Sequence, residues 1–135
     1  MTRKTVCIVA LILGLAAAEA ALGCLCLEPP PPKQARDEAD AVFTAKVLQA
    51  PEVPKNYGMR VRVRKSWKGA DCGNLTIWAG FATCIGNFER GKTYLIYADR
   101  GEAGELRTHL CTRTRAIEEA AEDFAALGKP EKSCG

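Results

Sequence analysis

Five stretches of alternating apolar residues, a helical stretch on either side of them, and an even set of cysteines beyond an export leader predict a mainly β, disulfide-stapled fold. Alternation at period two is the signature of strands with one face turned to a core. An even cysteine count in an exported chain of this length implies covalent staples.

The chain opens with Arg3 and Lys4, an apolar run over residues 6–18 and small residues after it, which is the grammar of a secretory leader. The run is too short and too weakly flanked for a membrane span. Cleavage after Gly23 makes residues 1–23 a signal peptide and residues 24–135 a single secreted, extracellular domain. Two other outcomes remain open: Ala18-x-Ala20 suits cleavage after Ala20, and Cys24 could be the lipid-anchored residue of a bacterial, periplasm-facing protein. Against the last, the segment Ala21-Leu22-Gly23-Cys24 lacks the usual Leu three residues before the cysteine.

Cleavage after Gly23 takes 23 of the 135 residues and leaves 112, enough for one domain with a modest core. It removes Cys7, so that Cys24, Cys26, Cys72, Cys84, Cys111 and Cys134 remain, and three disulfides are expected. Their spacing does not match a zinc ribbon or a redox Cys-x-x-Cys site. Losing Arg3, Lys4 and Glu19 turns 19 basic and 16 acidic residues into 17 and 15, a net +2 that requires no acidic partner.

Cys24-Leu25-Cys26 is followed by four consecutive prolines, Pro29 to Pro32, which fix an extended approach to the domain. Residues 34–40 read as a short helix. Residues 41–48 form a first strand, ended by Pro51 and Pro54. Met59, Val61 and Val63 face one side of a second strand and Arg60, Arg62 and Arg64 the other, with Trp67-Lys68-Gly69 closing it. Residues 75–78 make a third strand, residues 93–98 a fourth after the turn at Arg90-Gly91-Lys92, and residues 106–111 a fifth, the Gly101 and Gly104 loop serving as a hairpin connection. Over residues 116–127, Ile117, Ala120, Phe124 and Leu127 share a helical face, Glu118, Glu119, Glu122 and Asp123 form its wet side, and Gly128 and Pro130 stop it. Five strands with short N-terminal and C-terminal helices are the inventory of a five-stranded OB-like Greek-key barrel.

The order of Cys-x-Cys, proline run, helix, "AVFTAKV" strand, "KSWKG" turn, "TCIGNFERGKTYLIYAD" and "ELRTHLCTRTR" resembles the netrin-like domain, and within it the inhibitory N-terminal domain of the tissue inhibitors of metalloproteinases. The resemblance covers residues 24 to about 127, and its specificity lies in the N-terminal Cys-x-Cys with a Cys-then-Gly ahead of a Tyr-Leu-Ile strand. It implies disulfides Cys24–Cys84 and Cys26–Cys111, each closing a loop of many tens of residues and contributing roughly 4 kcal/mol in the chain-entropy picture. With those four assigned, Cys72 is left to pair with Cys134. This chain departs from the family in four respects: no cysteine lies in the early helix, Leu25 replaces the usual Thr or Ser, Glu28 replaces a proline, and the second, C-terminal inhibitor domain is absent.

What the resemblance implies about activity is a metalloprotease inhibitor with no cofactor of its own. Cys24, Leu25, Cys26, Leu27, Thr83 and Cys84 would contact the protease. The Cys24 amine and carbonyl would chelate the zinc of that target and Leu25 would enter the primed-side specificity pocket. The residues also admit a second class, a netrin-like binding or structural module whose barrel surface meets an unknown protein or polyanion.

Arg60, Arg62 and Arg64 with Lys65 and Lys68 form a cationic strip that reads either as a solvated strand face or as a polyanion site, glycosaminoglycan before nucleic acid, since no aromatic platform surrounds it. His109, the only histidine, has no carboxylate cluster around it, and no serine or cysteine is placed beside it as an activated nucleophile. Phe43, Trp67, Trp78, Tyr94 and Tyr97 read as core and turn anchors. No catalytic residue is assigned, and the chain is expected not to be an enzyme.

Overall fold

The computed structural model describes residues 24–80 and 84–135; the leader, its cleavage points and Thr83 lie outside the described residues. Five strands run β1 (Ala41–Gln49), β2 (Gly58–Lys68), β3 (Gly73–Trp78), β4 (Thr93–Arg100) and β5 (Leu106–Arg107). They pair in the order β1-β2-β3-β5-β4, and β4 pairs back to β1, which closes a Greek-key barrel of the OB type. All ladders around the barrel are antiparallel except β3–β5, where Ile77 meets Leu106 and Trp78 meets Arg107 in parallel. Two short strands attach outside it, β6 (Arg115–Ala116) on β4 and β7 (Lys132–Ser133) on β2.

Period-two alternation explains how the barrel fills. Phe43, Ala45 and Val47 of β1, Met59, Val61 and Val63 of β2, Ile77 of β3 and Ile96 of β4 point inward and are buried. Strands β1 and β4 are buried on their outer faces too, because Val42, Leu95 and Tyr97 pack with Trp67, Ala120 and Leu127 in a second core. That outer core lies under two helices, α1 (Pro32–Glu38) and α2 (Ala121–Leu127).

Strand β2 serves both cores through a bulge. Thr44 pairs with Lys65 and Ala45 with Val63, so Arg64 is the extra residue and the alternation shifts by one. Val63 therefore looks into the barrel while Trp67 looks out, its ring 5.7 Å from that of Phe124 and its Nε1 donating to Gly128 O at 2.8 Å. The β2–β3 turn starts at Gly69, whose φ is +68° and whose missing Cβ would stand 2.1 Å from Asp40 O. Only glycine satisfies both conditions.

Three expected elements differ. The early helix begins at Pro32, two residues sooner than expected, because proline is well suited to a first helical turn, where its missing N–H is no loss. Strand β5 ends at Arg107, and residues 108–114 form a hydrogen-bonded loop instead of continuing it, since Thr108 turns its hydroxyl inward to Tyr97 O at 2.9 Å. His109 is therefore in a loop, not on a strand. The C-terminal helical stretch is divided: Ala116 belongs to β6, Ile117–Glu119 form one 3-10 turn, and α2 begins only at Ala121.

Candidate functional site

Residues 24–31 run without regular structure, ahead of the helix that Pro32 opens. Two disulfides hold this segment: Cys24 to Cys84, with Cα atoms 5.0 Å apart, and Cys26 to Cys111, also 5.0 Å. The bridges touch, since Cys24 Sγ lies 3.5 Å from Cys111 Sγ and 4.0 Å from Cys26 Sγ. Three of these sulfurs cluster tightly enough to suggest a metal site, but each is already spent in a disulfide. A third bridge joins Cys72 in the β2–β3 turn to Cys134 beside β7.

The receiving loops are themselves braced. Leu110 N donates to Cys84 O at 3.3 Å, Thr108 N to Trp78 O at 2.9 Å, and Cys111 N to His109 Nδ1 at 3.2 Å. His109 thus acts as a loop acceptor. Gly80 has φ +138° and presses against Cys84 O, where a Cβ would come within 2.5 Å, so Cys84 itself stays close to the end of β3.

With the backbone pinned at Cys24 and Cys26, the side chains between and after them find little to pack on among the described residues. Leu25 is 83% exposed and Leu27 91% exposed, and Leu110, beside Cys111, is 52% exposed. Single exposed leucines need no explanation, but three on loops joined by one pair of disulfides form an apolar edge. Of the residues expected to meet a protease, the structure brings Cys24, Leu25, Cys26, Leu27 and Cys84 together; Thr83 is outside the described residues.

A polar cluster that sequence reasoning missed supports the segment from behind. Asp123, expected on the wet side of the last helix, is fully buried. Arg113 donates to it twice, Nε to Oδ1 at 2.7 Å and Nη2 to Oδ2 at 3.0 Å, and the Tyr97 hydroxyl donates to Oδ1 at 2.8 Å. The same guanidinium reaches Pro30 O with Nη1 at 3.4 Å, linking the proline run to α2 through the core. Burial pushes the Asp123 carboxyl up, but hydrogen bonds from Arg113 and Tyr97 and the Arg113 charge outweigh it and hold the group below the usual carboxylate range. Burial and the Asp123 bond hold the Tyr97 phenol above its ordinary value. A signal was present in the sequence: Asp123 stands three residues after Ala120 and four before Leu127, on the helix's apolar face.

Trp78 is likewise not a core anchor. It points outward and is 40% exposed, whereas Phe43, Trp67, Tyr94 and Tyr97 are buried as expected. The cationic strip is exposed along β2, with Lys46 of β1 in register opposite Arg62. Arg62 Nε donates to Asn74 Oδ1 at 3.0 Å, and among the described residues none of Arg60, Arg62 and Arg64 enters an ion pair. Among the described residues no helix is long and apolar enough to cross a membrane. Compared with protein-family models and with curated proteins, the chain matches none.

Proposed function

We propose that this chain is a secreted protein inhibitor of zinc metalloproteases, acting through the Cys24 end in the manner of the tissue inhibitors of metalloproteinases that its cysteine pattern resembles. The observation that carries this reading is the twice-bridged segment Cys24–Leu25–Cys26, with its two disulfides in contact at 3.5 Å and Leu25 standing 83% exposed between them.

When Cys24 is the first residue, its α-amine and carbonyl oxygen form a five-membered chelate for the open position of a protease zinc. The amine's ordinary pKa is near 8, so a useful fraction is neutral at physiological pH. Leu25 enters the primed-side pocket, where its burial contributes roughly 2 kcal/mol. Bridges and prolines remove most of the ordering cost, which favours tight binding. No cleavage follows, because an amine stands where a scissile bond would have to continue. Leu27, Thr83 and Cys84 complete the contact. Three disulfides accord with an oxidising compartment.

The test is chemical. Adding one alanine before Cys24, or acetylating its amine, makes the ligand an amide nitrogen whose lone pair is delocalised. We expect most inhibition of a panel of zinc metalloproteases to vanish while the unfolding midpoint stays unchanged. Full inhibition by the extended protein rules out zinc chelation, and a native N-terminus at Ala21 or a lipid on Cys24 moves the reading to a binding module.

A further inference from the structure

A cleft of about 830 Å³ opens over Trp78, lined by that indole with Tyr57, Asp99, Glu105, Arg107 and His109. It draws on three parts of the barrel: the β1–β2 loop supplies Tyr57, the end of β3 supplies Trp78, and β4, β5 and the connection between them supply the charged groups. The volume suits a small ligand or an inserted side chain. Among the described residues one flank of the indole, which is 40% exposed, is open, since Gly58, its partner on β2, has no side chain to cover it.

The charge in the cleft has a sign. Arg107 pairs with Glu105 through Oε1, and Glu105 Oε2 is buried with no side-chain partner among the described residues. Asp99, exposed at the end of β4, enters no ion pair among the described residues. Two carboxylates against one guanidinium leave an excess negative charge beside an aromatic face. An anion is repelled by such a site. An aromatic face attracts cations through its quadrupole.

We propose that this cleft binds a cationic group, the guanidinium or ammonium of a basic side chain, against the Trp78 indole and the Asp99 and Glu105 carboxylates. Such a partner pairs with the exposed Asp99 carboxylate, neutralises the excess charge and covers the open flank of the indole at once. A neutral saccharide stacks on tryptophan equally well but leaves the charge uncompensated.

The experiment is an NMR shift titration of the full, disulfide-intact protein, following the Trp78 indole N–H, with N-acetylarginine amide, its neutral isostere N-acetylcitrulline amide, and cellobiose. The expected result is a saturable, salt-sensitive shift with the arginine compound alone, weakened about tenfold or more in Asp99→Asn and in Trp78→Ala as followed on backbone amides of β5. Asp99 is exposed, so Asp99→Asn should keep the wild-type unfolding midpoint, and each variant is titrated under conditions where its own unfolding curve shows it folded. Equal binding of citrulline, preferential binding of cellobiose, or no saturable shift with arginine in the folded wild type each overturns the proposal.

Discussion

Asp123 shows how a single buried carboxylate organises its surroundings: it joins α2, the loop carrying Arg113, and strand β4 through Tyr97, and Arg113 extends the connection to Pro30. Removing one member of such a pair leaves the other charged and desolvated. We expect Asp123→Ala to cost about 3–5 kcal/mol, read as a lowered urea midpoint, with an unchanged midpoint refuting the role. The pH dependence follows from the depressed carboxyl. A folded value below the unfolded one of about 3.9 means that the stabilisation is complete above that pH and is lost as pH falls through the folded value. Wild type should therefore lose stability in acid more steeply than Asp123→Ala, and parallel pH curves for the two would contradict this. Glu122, Glu118 and Glu119 remain on the exposed side of the helical region, as their spacing indicates.

Among the elements, β2 carries the most information. Its first half keeps strict alternation, and its second half turns Trp67 outward through the bulge at Arg64, so one strand closes the barrel and anchors α2. The turn that ends it fits against the residue preceding β1, and Lys68 Nζ donates to Arg36 O and Asp37 O, both at 3.0 Å, tying α1 to the same place. Gly69→Ala must find room for a methyl where Asp40 O stands 2.1 Å away and must also hold φ +68°. The obstacle is backbone, which cannot swing aside. We expect a loss of about 1–3 kcal/mol, larger than the same change at Gly91, whose Cβ position is open. Equal effects at the two glycines would show that the contact with Asp40 is relaxed.

For the whole molecule, the three disulfides divide between two tasks. Cys24–Cys84 and Cys26–Cys111 fasten the N-terminal segment, whereas Cys72–Cys134 fastens the chain's last residues to the β2–β3 turn. Replacing both Cys72 and Cys134 by serine should lower stability by roughly 4 kcal/mol on the chain-entropy picture, yet leave metalloprotease inhibition intact under conditions where the variant is folded. Loss of inhibition by a folded Cys72→Ser/Cys134→Ser protein would tie that bridge to the site and count against an inhibitory edge confined to the Cys24 end.

The sequence by itself determined the mainly β class, the presence of a helix before and after the strands, the inward set Met59, Val61 and Val63, and the barrel's strand inventory. These follow from side-chain period and turn residues, which act between near neighbours in the chain. What the tertiary structure decided depends on partners far apart in sequence. Asp123 is buried because Arg113 and Tyr97 arrive to pair with it. Trp78 keeps an exposed flank because its cross-strand neighbour on β2 is Gly58. Residues 108–114 leave the ladder because Thr108 finds Tyr97 O inside. Leu25 stands exposed because two bridges, closed over separations of 60 and 85 residues, hold the backbone on either side of it where no side chain among the described residues comes to cover it.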